Sequence, residues 1–142
     1  MTALRKRRDE SPGHILVAYD GSEPAHRGLL HAAGMAGNGG RVTVVNVIPV
    51  QGVSARLETV SDAQDAKQRR LLHEAHSLLA KRGVKAELVG VAGDPVTEIL
   101  AAAEKVGAGT IVVGRKRGRR AFHGHLGDRL VRRATCDVLV VR

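Results

Sequence analysis

Aromatic side chains are almost missing from this 142-residue chain: there is no Trp, and Tyr19 and Phe122 are the single Tyr and Phe. Without stacking surfaces it has no platform for single-stranded nucleic acid. Cysteine is equally scarce, since Cys136 stands alone and cannot close an internal disulfide. That composition suits a reducing compartment, and no Cys/His pairing has metal-ligand spacing. No apolar stretch is long enough to span a bilayer. The basic run Arg5-Lys6-Arg7-Arg8 leads into Asp9, Glu10, Ser11 and Pro12 rather than an apolar segment, so a signal peptide is not expected and a cytoplasmic location is. Also absent are a Ser/His/Asp set, paired carboxylates near His125 and a P-loop, so catalysis is not expected.

Charge, by contrast, is abundant and unevenly placed. Lys and Arg number 23 against 14 Asp and Glu, and residues 114–133 alone hold eight of the basic residues against one acid, Asp128. The rest of the chain beyond the N-terminal run is neutral. Residues 1–12 therefore form a basic tail, and 13–142 a single domain of ordinary size. The cluster Arg115 to Arg120 is expected to attract phosphates as a solvated, adaptable patch whose hold falls with salt.

Aliphatic runs alternate with helical patterns along that domain. His14 to Tyr19, Val42 to Ile48, Ala86 to Val91, Thr110 to Val113 and Val138 to Val141 predict five strands, their continuous hydrophobicity fitting a parallel sheet covered on both faces. Between them, Ser22 with Pro24 and Asp94 with Pro95 mark helix starts. A long helix carries Leu71, Leu72, Ala75, Leu78 and Leu79, and a last helical stripe carries Leu126, Leu130, Val131 and Ala134. Pro49 to Val60 is expected to be a linker-like loop. Strands separated by helices in this rhythm predict a doubly wound α/β domain with ligands at the strand carboxyl ends, where Asp20, Val47 and Gly114 fall.

With those positions fixed, the chain resembles the universal stress protein family from His14 to Val141, through HILVAYDGSEPAHRGLLHAA, VTVVNVIPV, GVKAELVGVAGDPVTEILAAA, TIVVG and GHLGDRLVRRATCDVLVVR. The resemblance implies a five-stranded sheet of order 3-2-1-4-5 and a homodimer paired through the last strand. Many members bind ATP through a pattern G-x2-G-x9-G-[ST] after the fourth strand. Carried onto this chain, the nucleotide contacts are Ala18, Tyr19 and Asp20 at the end of the first strand, Val47 at the end of the second, and Gly114, Arg117, Gly124 and His125 along the glycine pattern. Arg117 stands where the second glycine belongs. Counting back from Ala134-Thr135-Cys136-Asp137 puts the last glycine at Gly124, three residues short; Gly127-Asp128 restores the spacing at the expense of the following helix. Such a loop resembles the branch of the family that does not bind ATP.

The expected function is a stress-response binding or regulatory protein with weakened or absent ATP binding. Alternatives are an ATP-binding relative with slow or no hydrolysis, and a nonspecific nucleic-acid binder using the basic loop. ATP or another adenine nucleotide is the candidate cofactor, and a second copy of the chain or a polyanion the candidate partner; no membrane and no metal are expected. Plainer accounts stand beside these. Asp20 can be a turn residue, Gly114 a strand-to-loop hinge, His125 a capping neighbour, His73 and His76 a solvated face, and Cys136 a packed, inert thiol.

Overall fold

Parallel strands joined by helical crossovers make up the residues that the structure, a computed structural model, describes: 13–50, 60–115 and 126–142. The strands are β1 (His14–Ala18), β2 (Arg41–Pro49), β3 (Ala86–Gly93), β4 (Thr110–Gly114) and β5 (Asp137–Val141). They form one sheet in the order β3-β2-β1-β4-β5, every pairing parallel. Alternation along β1 sends Ile15 and Val17 to one face and Leu16 to the other. Helices α1 (Glu23–Ala36) and α2 (Asp62–Ala80) cover the first face, α3 (Pro95–Val106) and α4 (Leu126–Arg133) the second. Each fully buried Leu or Ile, such as Leu16, Leu29 or Ile99, contributes about 2 kcal/mol of apolar transfer free energy.

The helix starts follow the local sequence. Ser22 accepts a hydrogen bond from the Ala25 N–H at 3.3 Å, with Pro24 in the first turn of α1. Asp94 does the same for Thr97 at 3.0 Å ahead of Pro95 in α3, and the Thr97 backbone and side chain together hold its carboxyl below the usual range. Ser61 and Gln64 close a reciprocal capping box on α2.

Two expectations need correction. Val131 does not belong to the core stripe of the last helix: it is 55 % exposed, while Leu130 beside it is fully buried. An eight-residue helix has room for one narrow apolar face, and Val131 lies off it. Burial on both faces also fails for β3, where Glu87, Leu88, Gly90 and Ala92 are exposed, because β3 is an edge strand. Cys136 is partly buried, and burial followed by the nearby Asp137 pushes its thiol up.

Candidate functional site

Strand order reverses direction between β1 and β4: the chain winds outward through β2 and β3, then returns to the far side of β1. Neighbouring crossovers leave that point on opposite faces, so a crevice opens at the carboxyl ends. A cavity of about 430 Å³ occupies it, a size that suits a small-molecule ligand. Ala18, Tyr19, Asp20, Val47 and Gly114 lie on its wall, five of the positions expected from sequence. Arg117, Gly124 and His125 lie outside the described residues. Gly127 is also on the wall, in the first turn of α4, where a Cβ would come within 2.8 Å of a Val140 methyl.

Asp20 accepts the Ser22 N–H at 2.9 Å and so builds the turn into α1. Its turn role and its place on the cavity wall coexist. Gly114 does not owe its identity to a left-handed φ. A Cβ there would sit 2.5 Å from the Pro24 carbonyl carbon and 2.6 Å from the Ala25 nitrogen. What Gly114 supplies is close approach of β4 to the first turn of α1.

Tyr19 is buried, with 1 % of its surface exposed. Its hydroxyl donates to the Glu74 carboxylate of α2, and its ring stacks on His26 of α1, centroids 5.5 Å apart. Burial, then the Glu74 bond and charge, push the phenol above its ordinary range. The same bond holds the Glu74 carboxyl low, with partial burial opposing and His26 assisting. Tyr19 is thus a strut between α1 and α2 whose hydroxyl is already engaged.

The residues that organise the cavity most were not anticipated. Asn46 is a buried polar residue within β2, and Gln68 sits on the buried stripe of α2. Gln68 Nε2 donates to the Asn46 backbone carbonyl at 2.9 Å, the Asn46 Oδ1 at 3.1 Å and the Val91 carbonyl at 2.9 Å. Asn46 Nδ2 in turn donates to the Tyr19 carbonyl at 2.8 Å. One continuous network therefore ties α2 to the carboxyl ends of β1, β2 and β3.

That network alters the last rung of the β1–β2 ladder. The Tyr19 N–H donates to the Val45 carbonyl at 3.0 Å, so odd-numbered residues of β2 turn their backbone groups toward β1. Even-numbered residues turn toward β3, as the Val50 N–H to Gly93 carbonyl bond at 3.1 Å confirms. The next regular rung would run from the Val47 N–H to the Tyr19 carbonyl; that bond is not made, and the carbonyl accepts from Asn46 Nδ2 instead. Among the described residues, the N–H and C=O of Val47 face the β1 side of the ladder, at the cavity, with no strand partner.

Comparison with known proteins fits this architecture. Residues 12–142 match the sequence profile of the Universal stress protein family. The chain belongs to that family. Among curated members, the universal stress protein YxiE of Bacillus subtilis is 28% identical over 90% of this chain and 97% of its own length. Two solved family structures share the fold: a universal stress protein in complex with cAMP (TM-score 0.71, 23% identity, 92% of this chain and 97% of that one), and one from Archaeoglobus fulgidus in complex with dAMP (TM-score 0.69, 24% identity, 92% and 98%). Within the family frame, the described residues include no cluster of His, Cys, Asp and Glu that could hold a metal ion and no helix long and apolar enough to cross a membrane. His73 is exposed and His76 half-buried.

Proposed function

We propose that this member of the family is a stress-response binding protein whose cavity takes the nucleoside end of an adenine nucleotide and grips a triphosphate weakly. The observation that carries the reading is the N–H and C=O of Val47 at the cavity wall, without a partner among the described residues. Side by side, they offer a donor and an acceptor in the spacing that the N1 and N6 edge of adenine would complement. Two relatives of the same fold are bound to cAMP and dAMP, nucleotides with one phosphate. Weak triphosphate binding follows from Arg117 in the second glycine position, which puts a Cβ where phosphate would meet backbone. If Gly127 serves as the last glycine, Asp128 replaces the hydroxyl residue and sets a carboxylate against the anion. Arg115, exposed on the cavity rim, contributes a compensating positive charge that salt screens.

Isothermal titration at physiological salt tests this. AMP or cAMP should bind with one site per chain, and Mg-ATP no tighter than about 10 μM, roughly −7 kcal/mol. A tighter stoichiometric ATP site would overturn the weak-grip reading, and absence of binding by every adenine nucleotide would overturn the cavity assignment.

A homodimer through β5 is part of the same proposal. This strand closes one edge of the sheet, and Val138, Leu139 and Val140 along it are only half-buried. An aliphatic edge with open backbone groups favours pairing with a second copy. Light scattering at tens of micromolar should give twice the chain mass, and a monomer would refute it.

A further inference from the structure

Asn46 has a specific consequence for ligand selection. The direction of its carboxamide is fixed by its neighbours: Oδ1 accepts from Gln68 Nε2 at 3.1 Å, so only Nδ2 remains to meet the Tyr19 carbonyl. Gln68 is itself oriented by two backbone carbonyls, Asn46 O and Val91 O, both of which demand a donor. Reversing either amide would set oxygen against oxygen. Asn46 is therefore committed to donating to Tyr19.

Such commitment decides where the Val47 N–H goes. A carbonyl has two lone pairs, so the Asn46 bond acts through direction rather than by occupying the only acceptor site: the Tyr19 carbonyl accepts from Asn46 Nδ2 and makes no bond with the Val47 N–H. With no donor at position 46 to turn it aside, the Tyr19 carbonyl would swing into line with Val47 and complete the ladder. We propose that Asn46 is a positioning residue that withdraws the Tyr19 carbonyl from the ladder and so keeps the Val47 N–H open for the edge of a ligand base, thereby setting selection of adenine over 6-oxopurines. Adenine offers an acceptor at N1 and a donor at N6, matching a backbone N–H and C=O. Hypoxanthine presents the opposite pair, a donor at N1 and an acceptor at O6, and meets donor with donor and acceptor with acceptor. A site that pairs a polar edge strongly rejects the analogue whose edge is reversed.

The inference rests on the adenine reading above, so its test has one arm that needs no ligand. In the free wild-type protein, amide hydrogen exchange at Val47 should be fast relative to Val45, whose N–H lies inside the ladder. Protection of Val47 equal to that of Val45 would overturn the proposal without any variant. In Asn46→Leu the Val47 amide should become protected by about tenfold or more, whereas Asn46→His, which keeps a ring N–H donor, should leave it open. Unchanged exchange in a folded Asn46→Leu would also overturn it.

The second arm titrates AMP and inosine 5′-monophosphate. Wild type should prefer AMP by at least about tenfold, Asn46→Leu by less than about threefold, and Asn46→His should recover the preference. A retained preference in Asn46→Leu overturns the role of Asn46. Failure of the wild type to bind either nucleotide removes the adenine reading and the selectivity with it, while the exchange arm still decides whether Asn46 holds Val47 open. A merely structural asparagine would lower the thermal midpoint of Asn46→Leu without moving the AMP/IMP ratio.

Discussion

Gly114→Ala should lower the unfolding free energy by about 3 kcal/mol, toward the upper end of what one inserted methyl costs in a packed site. The added Cβ meets the backbone of Pro24 and Ala25 rather than a movable side chain, so relief requires α1 to shift bodily away from β4. For a domain of this size the thermal midpoint should fall by roughly 10 °C. Nucleotide binding should weaken as well, because Asp20 and Ser22 at the start of α1 share the cavity wall with Gly114. Two glycines serve as controls. Gly34 in α1 and Gly109 before β4 both have open space around a built Cβ and φ outside the left-handed region. Gly34→Ala should stabilise by about 0.5–1 kcal/mol through helix propensity, and Gly109→Ala should be close to neutral. A midpoint for Gly114→Ala within a degree of wild type, by calorimetry, would show that the close approach is not a constraint.

Gln68→Leu is expected to be as damaging for a different reason. Its side chain satisfies two backbone carbonyls and one side-chain oxygen, and an apolar replacement leaves all three without that donor. The two carbonyls keep their β2–β3 ladder amides, so each loses one additional bond worth about 0.5–1.5 kcal/mol, while the Asn46 Oδ1 left without its donor costs about 1–3 kcal/mol. A total of about 3 kcal/mol is expected in urea unfolding. Gln68→Glu separates the causes: it keeps the volume but loses the donors, and should be no better than Leu. If either variant unfolds at the wild-type urea concentration, the network is dispensable.

Much of the fold was legible because each strand is an aliphatic run and each helix start carries its own chemistry. Ser22 and Asp94 mark helix starts in sequence and cap them in space. Strand order came from the family resemblance, since alternation of strands and helices does not distinguish among parallel orders. The cavity wall was legible at Asp20, Val47 and Gly114 because carboxyl ends of strands follow directly from strand boundaries. Asn46 and Gln68 were missed, although both carried a signal. An Asn inside the aliphatic run VTVVNVIPV must find a partner if the strand is buried. Gln68 continues the buried stripe of Leu72, Ala75 and Leu79 at helical spacing, the position where a core helix least tolerates an unpaired amide. What remained hidden was the reason for Gly114. Its constraint comes from the backbone of α1, nearly ninety residues earlier in the chain, and local sequence holds no trace of a contact at that range.

Gln68 also constrains a residue that it does not bond. A Cβ built on Gly90 would lie 2.7 Å from Gln68 Oε1 and 3.3 Å from a Leu72 methyl, so the clasp needs a bare backbone opposite it on β3. Gly90 has no left-handed φ to explain it. The two positions are coupled: a side chain entering at 90 displaces the Gln68 amide from its partners, and a shortened 68 leaves the Asn46 amide without its guide. Either change costs stability as a first step. Across diverging relatives, glycine at 90 and glutamine at 68 should be kept or lost together, with the base preference of the cavity changing in the same event.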